Sequence, residues 1–327
     1  MAYSQSILRK AKARLEQARQ EQEDAAHGRI RQIYARYPRL REIDIALRGS
    51  MAKVVAATFA SGGDPRAAVE QVKKENLSLQ QEKAAILAAA GLTENDLEAS
   101  PICADCGGTG YVGERMCKCL KELCRQEQIK ELSSLLAGNE RFEDFRLEYY
   151  PETPDKNYGL SPRAAMEQVY GRCLRYAREF SRNSPSLLFT GSTGLGKTFL
   201  SACIARAVAD RGCSVVYETA GTMFRDFEDA KFDRLAEDCP DPTQKYLTAD
   251  LLIIDDLGTE MVTQFTQTAL YQVINTRLME GRPTVISTNL SSLQLAEKYT
   301  PQIVSRLLGT YELQVFLGKD IRLLKKR

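Results

Sequence analysis

Residues 191–198 read GSTGLGKT, the spacing G-x-x-x-x-G-K-T, and no other stretch limits so narrowly what this chain can fold into. Gly191, Gly194 and Gly196 let a backbone turn tightly enough to aim several N–H groups at one anion. Lys197 reaches the terminal phosphates of a nucleotide, and the Thr198 hydroxyl is placed for Mg²⁺ at a helix N-terminus, where the dipole favours negative charge. The whole loop, with Ser192, Thr193 and Leu195 between those residues, is the candidate nucleotide cradle. It needs a strand before it and a helix behind it. The apolar run SLLFT and the amphipathic stretch over 196–210 supply both.

From residue 186 onward the same alternation continues through CSVVYE, a helix around 220–236, LLIID, a helix over 263–280 and PTVIST. Strands alternating with helices predict an α/β fold, a parallel sheet with helices on both faces. LLIIDDLG at 251–258 ends its strand in two acids. Asp255 is expected to orient Mg²⁺, and Asp256 to polarise the water that attacks a γ-phosphate; the alternative is a buried strand with a polar exit. Asp256 is shorter than a glutamate, which predicts hydrolysis that is slow or that waits for a partner. Asn289, just past PTVIST, falls at the carboxyl edge of the sheet, where ligands of open α/β sheets bind. PQIVSRLLG sets Arg306 on a short helix, either as an arginine finger for a neighbouring subunit's nucleotide or as an ordinary surface arginine.

Ahead of this region, residues 1–98 are rich in Ala, Glu, Lys, Arg, Gln and Leu and predict helices: a polar one over 5–27, a second carrying Leu40, Ile43, Ile45, Leu47, Met51, Val54 and Val55 up to Ser61-Gly62-Gly63, and a third from Pro65 to Ala90. They form a partner-binding region or a solvated appendage. Residues 99–125 hold a cysteine cluster, 126–160 carry the proline-bearing YYPETPDKNYGLSP and read as a linker, and 161–327 form the nucleotide-binding domain. The aromatics of RFEDFRLEYY either line a base pocket or pack in the core.

CADCGGTGYVGERMCKCLKELC puts five of the nine cysteines into residues 103–124. The chain shows neither an apolar signal-peptide core nor a run long enough to span a bilayer, so it is expected in the cytoplasm, off the membrane. Reducing conditions disfavour disulfides, and a redox C-x-x-C wants a thioredoxin-like setting that is missing. Cys103, Cys106, Cys117 and Cys119 can surround one Zn²⁺, with Cys124 close enough in sequence to replace Cys117 or Cys119. Cys173, Cys203, Cys213 and Cys239 are scattered, and His27 is the lone histidine, so histidine-based catalysis is excluded. With a net charge of +2, no global basic field advertises nucleic acid.

Taken together, GSTGLGKTFLSACIA, LLIIDDLGTE, VISTNLS, IVSRLLG and GKDIRLLKK resemble the AAA+ P-loop ATPases of the bacterial replicative-helicase-loader type, the DnaC/DnaI-like group. The cysteine stretch with KCLKE is also similar to that group's zinc-binding region. The resemblance implies ATP, Mg²⁺ and Zn²⁺ as cofactors, Asn289 as nucleotide sensor, Arg306 as a finger acting in trans between copies of the chain, and Arg322 as second sensor. It also implies a protein that binds a hexameric replicative helicase through its N-terminal region and delivers it to single-stranded DNA. Gly309 leaves 18 of the 327 residues after it, which predicts a short or absent helical lid. IstB-type transposase helpers, which act on duplex DNA, share this short C-terminus; a nucleotide-switched adaptor with little hydrolysis is the third reading.

Overall fold

The computed structural model describes residues 3–50, 52, 65–135, 140–155, 159–232 and 241–324. Met51, Val54, Val55, the Ser61-Gly62-Gly63 stop and Cys239 lie outside them. Two units are formed, Ala13–Cys117 on the one hand and Met1–Lys12 with Lys118–Arg327 on the other.

Helix α1 (Gln5–Arg36) extends beyond the stretch expected over 5–27, running through Gly28 until Pro38 stops it. Pro38 then opens α2 (Pro38–Arg48) at the first helical position, where its missing N–H is no loss. Helix α3 (Pro65–Ala90) ends at Gly91, whose φ of 67° lets Leu92 N–H turn back to Leu87 O at 2.9 Å. Helices α2 and α3 are joined by Arg39–Glu82 and Lys83–Asp44 ion pairs at 2.7 and 2.8 Å, the second of them largely shielded from water. A 3₁₀ turn (Glu94–Leu97) leads to a small antiparallel hairpin, β1 (Tyr111–Val112) and β2 (Arg115–Met116).

In the other unit, α4 (Lys118–Leu135) starts within the cysteine cluster, carries Cys119, runs into the stretch expected as a linker from 126, and buries Leu120, Cys124, Gln128 and Leu132 at a spacing of four. Two short 3₁₀ turns (Phe142–Asp144 and Leu147–Tyr149) precede α5 (Pro162–Glu179), which Ser161 caps by accepting from Ala164 N–H. The alternating region then supplies β3 (Leu187–Thr190), α6 (Lys197–Asp210), β4 (Val215–Thr219), α7 (Ala220–Lys231), α8 (Gln244–Thr248), β5 (Leu251–Leu257), α9 (Gln264–Met279), β6 (Thr284–Thr288), α10 (Ser292–Lys298), α11 (Pro301–Thr310), β7 (Glu312–Val315) and α12 (Ile321–Leu324).

The five long strands make one wholly parallel sheet in the order β4-β5-β6-β3-β7. Alternate residues serve opposite faces. Leu187, Phe189, Leu251, Ile253 and Val285 join α5 and α6 in one apolar layer, while Leu188, Leu252, Ile254 and Ile286 join α7, α9 and α11 in the other. Fully buried Arg277 organises the lower edge, donating to Thr284 Oγ1 and to the carbonyls of Tyr246, Ala249 and Pro283 at 2.6 to 3.0 Å. The upper edge carries an irregularity: β5 and β6 shift register between Ile254 and Leu257, so Asp255 and Asp256 stand where the ladder breaks.

Candidate functional site

The loop 191–196 joins β3 to α6 at that upper edge, and its glycines are demanded by what surrounds them. At Gly191 (φ 140°) a Cβ would lie 2.4 Å from Phe316 O, and at Gly194 (φ 74°) it would sit in the Asp320 carboxylate, 1.9 Å from Oδ1. The segment after β7 therefore packs against the loop where a lid was not expected, and Ile321 N–H seals it by donating to Gly194 O at 3.0 Å. From the other side Tyr150 OH donates to Leu195 O at 2.9 Å.

Lys197 is 5% exposed, and its ammonium donates to Gly191 O, Ser192 O and Asn289 Oδ1 at 2.6, 2.7 and 2.6 Å. It thereby ties the loop to the end of β6. Burial pulls its pKa down to about 8, opposed by Asp256 and Asp255 and aided by Arg322. Asp256 has φ 55°, the sole non-glycine with positive φ among the described residues, and its N–H donates to Ser287 Oγ at 3.0 Å. Burial and then the neighbouring Asp255 push its carboxyl above the usual range, with Lys197 and Arg322 pulling it back. Asp255 is 4% exposed, and its two oxygens accept from Tyr217 OH, at 2.7 Å, and from Ser287 OH. Burial, reinforced by Asp255, holds Tyr217 protonated far above its ordinary range, so it stays a donor.

A cavity of about 400 Å³ opens over this set. Thr193, Gly194, Lys197, Thr198, Asp256, Asn289 and Arg322 form its polar wall, and Phe145, Tyr149, Tyr150 and Ile321 its apolar one. The structure so brings together the loop, Asp256, Asn289 and Arg322, with Asp255 buried behind them. Arg306 is elsewhere: from α11 its guanidinium donates to Asn275 Oδ1 and Tyr271 OH at 2.8 and 2.9 Å and lies 4.6 Å over the Tyr271 ring. Sequence reasoning missed Tyr217, Ser287 and Asp320: they fall in CSVVYE, VISTNLS and GKDIRLLKK, stretches that mark strands or a family resemblance without singling out these side chains. Thr198 and the two aspartates offer oxygen donors alone, the set that suits Mg²⁺.

The cysteines form a second chemical site. The sulfurs of Cys103, Cys106, Cys117 and Cys119 lie within 4.8 Å of one another, and Cys103 and Cys117 are 3.7 Å apart. Four sulfurs at about 2.3 Å from one tetrahedral Zn²⁺ stand about 3.8 Å apart, so the donor set fits that ion. Gly107, Gly108 and Gly110 all have positive φ, and Gly110 N–H donates to Cys106 Sγ at 3.3 Å. Cys124 is outside the group of four; it is buried on α4, and burial pushes its thiol up to about 11.

Comparison with known proteins matches residues 165–308 to the IstB-like ATP binding protein family. The replicative helicase loader DnaC of Escherichia coli (strain K12) is 24% identical over 165 residues, covering 50% of this chain and 66% of that protein. An ATP-binding protein of an insertion sequence in Mycobacterium tuberculosis is 28% identical over 104 residues, 32% of this chain and 40% of its own length. A crystal structure of the DnaC helicase loader superposes with a TM-score of 0.46 at 19% identity, covering 55% of this chain and 97% of that one. The chain thus spans just under two thirds of the length of these DnaC relatives. Residues 165–308 thus match the IstB-like ATP binding protein family, and about half of the chain is similar in sequence to replicative helicase loaders of the DnaC type.

Proposed function

We propose that this chain is a cytoplasmic, ATP-hydrolysing helicase loader that engages a hexameric replicative helicase and delivers it to single-stranded DNA. The observation that carries the reading is the Lys197 ammonium, held at once by the phosphate loop and by Asn289, in a domain whose relatives are replicative helicase loaders. A γ-phosphate competing for Lys197 would release Asn289, so the end of β6 can sense which nucleotide is bound. Asp256 is the proposed base for the attacking water, since its raised pKa brings a carboxylate closer to neutrality. Thr198 and Asp255 would hold Mg²⁺, which when bound neutralises charge on the phosphate oxygens. Phe145, Tyr149 and Tyr150 would face the base, and Arg322 the terminal phosphate.

Arg306 lies outside the cavity of its own chain, which supports a role toward a neighbouring copy. The four cysteines are proposed as a structural Zn²⁺ site. No helix of the described residues is long and apolar enough to cross a membrane. The insertion-sequence relative suits the transposase-helper reading, but the DnaC match extends over more of the chain.

The test is co-elution of the intact chain with its host's replicative helicase in ATP and Mg²⁺, against ADP and against Lys197→Ala. A complex that forms with ATP and weakens at least about tenfold in the variant is expected, because phosphate contacts from a charged lysine contribute a few kcal/mol. Absence of a complex in every nucleotide state sinks the loader reading, and retention on duplex DNA with a transposase then supports the helper reading.

A further inference from the structure

Three strands bring one buried hydroxyl pair to one carboxylate. Tyr217 is on β4, Asp255 on β5 and Ser287 on β6. The register pairs Thr219 with Asp255, so Tyr217, two residues earlier, shares the face of Asp255 and reaches it diagonally. Ser287 shares that face from the other side, two residues on from Val285. Tyr217 is 7%, Asp255 4% and Ser287 0% exposed, in a layer otherwise built of Leu251, Ile253 and Val285.

A carboxylate in such a layer must have its oxygens satisfied. Tyr217 OH takes Oδ2 at 2.7 Å and Ser287 OH takes Oδ1, one donor per oxygen. Each carboxylate oxygen keeps a further lone pair, so the clamp sets the plane of the carboxylate without using up its capacity to bind a cation. Ser287 does a second thing with the same atom. While its hydroxyl donates to Asp255, its oxygen accepts the Asp256 N–H at 3.0 Å, at the residue with φ 55° where β5 leaves register. The one serine thus fixes the orientation of Asp255 and the turn that aims Asp256 into the cavity.

We infer that Tyr217 and Ser287 are the positioning residues of the acidic pair: together they present Asp255 toward magnesium and Asp256 toward water, and neither touches the nucleotide. The inference rests on the nucleotide-hydrolysing reading above. Outer partners of metal-binding carboxylates typically contribute about 10- to 100-fold in metal affinity or activity.

The experiment uses the full chain as Tyr217→Phe, which keeps the ring in the core, and as Ser287→Ala. Three quantities are read: affinity for a fluorescent ATP analogue in EDTA, the Mg²⁺ concentration at which that affinity reaches half its metal-induced change, and kcat. Expected is an affinity in EDTA within about twofold of the parent chain, a Mg²⁺ midpoint raised about tenfold, and kcat reduced about 10- to 100-fold at little change in KM. A parental Mg²⁺ midpoint in both variants overturns the inference. So does an equal loss of affinity in EDTA, which marks mere support of the fold. If Ser287→Ala fails to fold, Tyr217→Phe decides alone. Should the parent chain hydrolyse no ATP, with or without helicase, the functional reading fails while the Mg²⁺ midpoint still decides this one.

Discussion

Asp256 combines a backbone that few side chains adopt with a charge that its surroundings oppose, and both bear on one substitution. Asn tolerates left-handed φ nearly as well as any non-glycine residue, so Asp256→Asn keeps the turn and removes the charge. Because the folded pKa of Asp256 is raised above its unfolded value, the fold favours the protonated acid. The ionised carboxylate therefore destabilises the chain, a penalty absent below the unfolded pKa of 3.8 and fully present above the raised folded value. Thermal melts should place Asp256→Asn on the order of 1–2 °C above the parent at pH 7.5, with the gain shrinking as pH is lowered toward 4. In the same samples kcat should fall about 10²- to 10⁴-fold, the range of a lost general base. A variant that hydrolyses ATP at the parent rate would remove Asp256 from the mechanism. The loop, Asp256 and Asn289 were all legible in the sequence, because each sits at a fixed offset from an apolar run that ends at the sheet's upper edge. Tyr217 and Ser287 were not: their partner is 38 and 32 residues away, and no local period encodes a pairing across strands.

At the scale of elements, strands announce themselves in the sequence and their order does not. Strands of four to seven residues buried on both faces leave continuous apolar runs, which is why SLLFT, LLIID and PTVIST stood out. Their order does not follow from the runs; β6 lies between β3 and β5 although it comes after both in the chain. Helix α4 does not stand out in the sequence because one of its inward positions is Cys124 and another is Gln128, so its stripe looks broken. Gln128 is inward for a polar reason. Its side-chain amide donates to Cys213 O and accepts Val215 N–H, both at 2.9 Å, satisfying the backbone at the start of the edge strand β4. The β1–β2 hairpin has the opposite character, since two strands of two residues each hold no core. On the proposed zinc reading, its order comes from Zn²⁺ on the four thiols. Purified chain should carry one zinc; a chelator, or Cys103→Ala with Cys106→Ala, should release it and expose the hairpin to protease. Nucleotide affinity should stay within roughly twofold, as expected where the cysteine site and the nucleotide cavity share no residue. Loss of nucleotide binding on chelation would show that the zinc supports more than its own hairpin.

For the whole molecule, the instructive point is that sequence order and structural membership diverge. The composition of residues 1–98 predicts one helical region, whereas Met1–Lys12 clusters with Lys118–Arg327 rather than with the helices that follow it. The reason is a short apolar stripe. Tyr3, Ile7 and Ala11, four residues apart, are all buried, and Tyr3 OH donates to Gly212 O at 3.0 Å, next to the turn that feeds β4. Burial first, with smaller contributions from Cys124 and Asp250, pushes the Tyr3 hydroxyl up to about 12, so it remains a donor throughout the usual pH range. Ser4 and Ile7 line a small cavity with Val215 and Tyr217, so this stretch packs beside β4, and its removal is expected to destabilise the nucleotide-binding unit. Tyr3→Ala should destabilise this unit by about 3 kcal/mol, a Tm loss of about 6–12 °C, whereas Tyr3→Phe, which loses one hydrogen bond and keeps the ring, should lose about 1 kcal/mol. Calorimetry with and without ATP and Mg²⁺ identifies the affected unit, because ligand raises the Tm only of the unit that binds it. If the ATP-responsive transition of Tyr3→Ala matches the parent's, the first residues contribute nothing to the nucleotide-binding unit; if it drops with the ring and not with the hydroxyl, apolar burial is what holds the chain's start in place.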